Sequence, residues 1–95
     1  MKIIWSPLFI KKLKIIVDFI SMDNRDAAFA LVDDIEKRVA HLAMFPVEGR
    51  LIQSANDEMI RELVIHNNYI IVYAFKAKNV ELITIRHTRQ KPKTP

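Results

Sequence analysis

The chain has 95 residues, 51% of them hydrophobic and 27% charged, with no cysteine and a single glycine. That is room for one small domain with a modest core and not for two. It excludes disulfides, thiol nucleophiles and thiolate metal sites, and a lone Gly49 excludes the glycine-rich loops of P-loop and dinucleotide-binding proteins. The net charge of +4 is localised: the last ten residues carry Arg86, Arg89, Lys91 and Lys93 with no acid, and the other 85 residues balance eleven bases against eleven acids. A neutral body with a cationic end points to one local anionic contact, not to a nucleic-acid groove across the molecule. No apolar run reaches the ~18 residues of a membrane span, and no signal-peptide pattern opens the sequence. With the absence of cysteine, this leads us to expect a cytoplasmic protein with no membrane contact.

In chain order, Lys2–Trp5 is a short apolar run with β-branched and aromatic residues, the composition of a first strand. Ser6-Pro7 reads as an N-cap followed by proline at the first helical position, where its missing N–H costs nothing. Phe9, Leu13, Ile16, Val17 and Ile20 then recur at helical spacing between Lys11, Lys12, Lys14 and Asp18. The pattern breaks at Ser21-Met22-Asp23-Asn24, and Asp23 or Asn24 is placed to cap a second helix. That helix is carried by Ala28, Leu31, Ile35, Val39 and Leu42 and is limited by Pro46, because the residue before proline avoids helical geometry. The short link implies an antiparallel helical hairpin.

Pro46–Arg50 reads as a turn, with Gly49 supplying its backbone angles, and Leu51–Glu58 has no clear period. Met59–Ile65 is a strand interrupted by Arg61-Glu62, and His66-Asn67-Asn68 is turn-forming. Tyr69–Phe75 is apolar throughout, the pattern of a strand buried on both faces. Lys76–Asn79 connects to Val80–His87, which runs into the basic tail. Three strands joined by short links form an antiparallel meander. The expected fold is therefore α+β, ordered β-α-α-β-β-β, with a helical hairpin packed on a small, mainly antiparallel sheet and residues 1–95 forming one domain.

His41, His66 and His87 lie about twenty residues apart with no acid at ligand spacing, so no metal site and no cofactor are expected. Ser6, Ser21 and Ser54 offer no nucleophile elbow. The acids Asp33, Asp34 and Glu36 read as a solvated helix face. Three features remain: Arg61 beside Glu62 inside a strand, expected to pair with Glu62 or lie on an exposed face; Glu48-Gly49-Arg50 after the hairpin; and Arg86-His87-x-Arg89 at the end of the last strand. Arg86 and His87 should point to opposite faces of that strand. Arginine there offers bidentate phosphate or carboxylate recognition, and histidine titrates near neutral pH.

Ile4-Trp5-Ser6-Pro7, Pro46-x-x-Gly49-Arg50, Arg61-Glu62-Leu63, His66-Asn67-Asn68-Tyr69 and the closing Ile85-Arg86-His87-Thr88-Arg89-Gln90, in this order and spacing, resemble the RelE/ParE superfamily of bacterial type II toxins over nearly the whole chain. The resemblance implies the fold just described and a cognate antitoxin as partner in a hetero-oligomer. It also implies one of two activities. RelE-like members are metal-independent ribonucleases that cut messenger RNA on the ribosome, and Glu48, Arg61 and His87 would be the base, phosphate clamp and acid here. ParE-like members are known as poisons of DNA gyrase. The Arg-Glu-Leu segment, the following turn and the His-Thr-Arg-Gln ending resemble ParE members more closely, and the last tyrosine, Tyr73, lies in a core strand rather than near the C-terminus. The favoured expectation is a gyrase inhibitor that binds rather than catalyses, with Arg61, Arg86, His87, Arg89, Lys91 and Lys93 facing the target. The ribonuclease, and a non-toxic remnant acting only as antitoxin partner and co-repressor, are the alternatives.

Overall fold

Seven elements appear in the computed structural model, which describes residues 1–52, 55 and 57–89: β1 (Lys2–Trp5), α1 (Pro7–Ser21), α2 (Arg25–Met44), β2 (Arg50–Leu51), β3 (Ile60–Ile65), β4 (Tyr69–Lys76) and β5 (Asn79–His87). They build a five-stranded sheet in the order β1-β5-β4-β3-β2, antiparallel except where β1 runs parallel to β5. The α+β architecture is the expected one. The addition is β2, two residues where the expected turn passes into the stretch without a period. A strand this short has no room to display an alternation, and only its pairing with Glu62 and Arg61 defines it.

The caps follow from chemistry legible in the sequence. The Ser6 hydroxyl accepts from the Phe9 N–H (3.1 Å) at the start of α1, and the Asn24 side chain accepts from the Ala27 N–H (3.1 Å) at the start of α2. Ser6 does more: its hydroxyl donates to the carbonyl of Ile83 (2.9 Å), the extra residue where β5 slips register against β4 between Val72 and Tyr73. One side chain thus caps a helix and satisfies a carbonyl left over by the β-bulge. At its other end α2 stops at Met44, and Phe45 before Pro46 has left helical geometry (φ −132°, ψ 72°).

Both helices bury their apolar stripes on one face of the sheet. Phe9, Leu31, Ile35, Val39 and Leu42 pack with Leu63, Ile65, Ile71, Tyr73, Val80, Leu82 and Ile85. Fully burying a side chain such as Phe9 contributes roughly 2–3 kcal/mol. The β4 strand sits at the sheet's centre, and its helix-facing residues Ile71 and Tyr73 are completely buried. Burial on both faces is not complete: on the opposite side Val72 and Ala74 are only half-buried, because the helical hairpin covers one face alone. The register puts Arg61, Leu63 and Ile65 on the helix side with Tyr73, Ile71 and Tyr69, and Glu62 and Val64 on the open side with Val72 and Ile70. That alternation decides where every candidate residue goes.

Candidate functional site

The chain must leave α2 and turn into β2 within Phe45–Gly49, and two side chains from the sheet, buried Tyr73 and half-buried Arg61, hold it there. The Tyr73 hydroxyl donates to the Pro46 carbonyl (2.6 Å) and accepts from the Gly49 N–H (2.8 Å). Arg61, on the same face of the sheet, donates from Nη1 to the Gly49 carbonyl (3.0 Å) and more weakly to that of Val47 (3.4 Å). Its guanidinium carbon lies 5.8 Å from the centre of the Phe75 ring, and its Nε is buried without a partner. Arg61 therefore neither pairs with Glu62 nor lies on an exposed face. The β-pleat sends it to the side opposite Glu62, where carbonyl oxygens of the turn receive it.

Gly49 is required for space and not, as the sequence reading had it, for its backbone angles. A Cβ there would stand 2.5 Å from the Tyr73 hydroxyl oxygen, 2.7 Å from a carbon of its ring and 2.8 Å from the Glu62 carbonyl oxygen. Burial pushes the Tyr73 hydroxyl above its ordinary pKa, with the Gly49 N–H and the Arg61 charge opposing the shift. Beside this latch Glu48 meets His41 (Oε1 to Nδ1, 3.1 Å), and the His41 ring packs on Phe45 at 4.8 Å.

Charges assemble differently on the open face. Glu62 takes Arg50 on one oxygen (2.6 Å) and approaches Arg86 with the other (3.9 Å). Arg50 reaches in from the edge strand, with 62% of its side chain exposed, whereas the Arg86 side chain is 20% exposed. At the end of β5, His87 turns to the helix side opposite Tyr69, packing edge-on against its ring at 5.3 Å. The opposite orientations of Arg86 and His87 are thus as the strand period predicts. His87 Nδ1 accepts from the Arg89 main-chain N–H (3.0 Å). Arg89 is exposed. Lys91 and Lys93 lie outside the described residues.

These positions settle which candidates meet. Glu48 and Arg61 share the turn after α2, but His87 does not join them. Arg61 pairs with Tyr73 and His87 with Tyr69, so they stand about 13 Å apart along the sheet and about 10 Å across two strand spacings. The Arg61 guanidinium is held on the turn carbonyls there and does not meet His87. Arg61 is likewise not beside Arg86, since the two point to opposite faces; Arg50, which the sequence reading left in a turn, is the residue that shares Glu62 with Arg86. The signal for the Tyr73 latch was present in the sequence as a tyrosine where phenylalanine would have filled the core, because a buried hydroxyl requires partners. Among the described residues no three His, Asp or Glu side chains converge as a metal site would need, and no helix is long and apolar enough to cross a membrane.

Comparison with known proteins places this arrangement. A family model described as the ParE toxin of the type II toxin–antitoxin system, parDE, matches residues 3–92. A protein of Sinorhizobium fredii (strain NBRC 101917 / NGR234), described as "Putative toxin Y4kP", is 33% identical over 90 residues, covering 94% of this chain and 90% of that protein. A solved structure described as the chromosomal ParDE TA system from P. aeruginosa superposes with a TM-score of 0.71 over 92% of this chain and 95% of the other. At 20% identity that likeness speaks for the fold alone.

Proposed function

The chain belongs to the ParE toxin family of type II toxin–antitoxin systems, and from that premise we propose that it acts in the cytoplasm by binding DNA gyrase and is neutralised by a cognate antitoxin. The activity is occupancy of a target rather than turnover. The observation that carries this reading is the separation of Arg61 from His87: the residues a ribonuclease would need as clamp and acid stand at different ends of the sheet. Arg61 is spent on turn carbonyls and His87 on the Arg89 N–H.

The contact surface we assign to the target is the end of β5. Arg89 is exposed there, Arg86 flanks it on the open face, and Lys91 and Lys93 follow in sequence. His87 supports this surface from the helix side, and Arg61, which holds the turn after α2, lies away from it. Holding gyrase with its DNA cut would let breaks accumulate. An antitoxin that binds only the folded toxin would stabilise this small domain by mass action as it blocks it.

Induced expression without the antitoxin tests the proposal. A DNA-damage response with filamentation is the expected phenotype. Rapid arrest of translation with messenger RNA cut at the ribosomal A site would overturn it in favour of a ribonuclease, and normal growth would reduce the chain to an antitoxin-binding remnant.

A further inference from the structure

The connection between β3 and β4 is a tight turn made without glycine. The Asn68 N–H donates to the Ile65 carbonyl (3.2 Å), and the two residues between them, His66 (φ 55°) and Asn67 (φ 59°), both hold left-handed backbone angles. Glycine is favoured in hairpin turns of this hand because a Cβ is crowded there. Asparagine tolerates the region; histidine is the costlier choice, and the chain's one glycine, Gly49, lies elsewhere. A backbone outlier of this kind persists only where its surroundings hold it. His66 has such a contact: its Nε2 lies 3.0 Å from Oδ2 of Asp34 on α2, and the two side chains are 42% and 36% exposed. Asp34 is therefore more than part of a solvated helix face. Its neighbour Asp33 pairs with Lys37 along the helix (3.0 Å), whereas Asp34 reaches across to the sheet.

The same turn receives the chain as it leaves β5. The Thr88 N–H, one residue past the end of the strand, donates to the Asn68 carbonyl (2.7 Å), and His87 packs edge-on against Tyr69. Arg89 follows, its N–H bonded to His87. We propose that Asp34 and His66 form a strut that fixes the β3–β4 turn against α2, holds the Asn68 carbonyl in place for Thr88, and so sets the direction in which β5 delivers Arg89. Among the described residues no second ion pair joins this turn to a helix. Asp34 and His66 are positioning residues that act through the turn. Their part in toxicity rests on the reading of the β5 end as the target-facing surface. A histidine in a left-handed position is thereby explained: glycine would suit the backbone better but would leave the turn unattached to the helix.

Amide hydrogen exchange of the full chain, read residue by residue by NMR, tests the strut without reference to any target. His66→Gly, which suits the backbone angles but removes the ring, and Asp34→Ala should each speed exchange of the Thr88 N–H roughly 5-fold, the range of a half-exposed ion pair. The amides of the β4 core should stay as protected as in the parent. Asp34→Asn, which keeps an acceptor oxygen, and Asn67→Gly, which keeps the strut, should leave Thr88 at the parent rate. Thr88 exchanging at the parent rate in both His66→Gly and Asp34→Ala overturns the proposal, as does an Asp34→Asn protein that behaves like Asp34→Ala. Trapping of gyrase on DNA by the same proteins reads the consequence for Arg89, and the loosened variants should lose a similar factor. A parent chain that leaves gyrase untouched defeats the target reading and not the strut, which the exchange rates decide. A parent that traps gyrase, with loosened variants trapping it equally well, overturns the role of the strut in delivering Arg89.

Discussion

Replacing Tyr73 by phenylalanine removes one oxygen atom from a completely buried ring and leaves its packing volume almost unchanged. What is lost is the latch: a hydrogen bond to the Pro46 carbonyl at 2.6 Å and one from the Gly49 N–H at 2.8 Å. Each contributes about 1 kcal/mol net, and a buried group left without a partner costs about 1–3 kcal/mol. Gly49 is buried and Pro46 partly so, so Tyr73→Phe should destabilise the domain by ~2–3 kcal/mol. In a domain of this size that lowers the melting temperature by roughly 10–15 °C. Gly49→Ala attacks the same contact from the other side, because its Cβ would meet the Tyr73 ring and the Glu62 backbone within 2.8 Å; overpacking of this kind costs about 1–3 kcal/mol in addition to the bonds it displaces. Since both changes break one latch, the double variant should lose less than the sum of the two. Urea denaturation of the three variants and the parent reads these values directly. A Tyr73→Phe protein within about 0.5 kcal/mol of the parent, or strict additivity, would refute the claim that the tyrosine hydroxyl holds the turn.

Other outcomes follow from the same structure. With the Tyr73 pKa raised by burial, the folded state keeps its proton where the unfolded chain has released it; stability is therefore full below about pH 10 and falls as pH rises beyond it. That alkaline loss should shrink in Tyr73→Phe when melting temperatures are followed with pH. Arg61→Leu gives up the bond to the Gly49 carbonyl but also removes an unpartnered buried Nε, so the net cost in urea should be only about 1 kcal/mol. Ala77 turns the β4–β5 connection at φ 54°, a conformation costing ~1 kcal/mol for a side-chain-bearing residue. Ala77→Gly should therefore raise stability by a few tenths of a kcal/mol after the entropy of glycine in the unfolded chain is counted.

The elements with strong local signals were legible in the sequence. Ser6-Pro7 and Asn24 start helices because their side chains satisfy N–H groups that any helix leaves open, and the apolar stripe of α2 predicted its five buried residues one for one. Phe9 in the core and an exposed Phe29 follow from the same periodicity. The site was less legible, for a physical reason. Neighbouring residues on a strand face opposite ways, so Arg61-Glu62 and Arg86-His87, adjacent in sequence, belong to different faces. Which residues of other strands join them depends on register. Glu62 finds Arg50 from the edge strand and Arg86 from β5, and no spacing in the sequence announces that trio. Gly49 was marked as special, but a close approach by Tyr73 from 24 residues away is a tertiary fact that the turn itself does not reveal.

The central claim, that the β5 end binds gyrase and nothing is turned over, is tested most directly by trapping of gyrase–DNA cleavage complexes with purified chain. Arg89→Glu should abolish trapping, while His87→Ala, which removes the side chain a ribonuclease would use as acid, should leave it within a few-fold of the parent. Gyrase untouched at micromolar toxin, together with ribosome-dependent RNA cleavage that falls ~10²-fold or more in His87→Ala, would contradict the account.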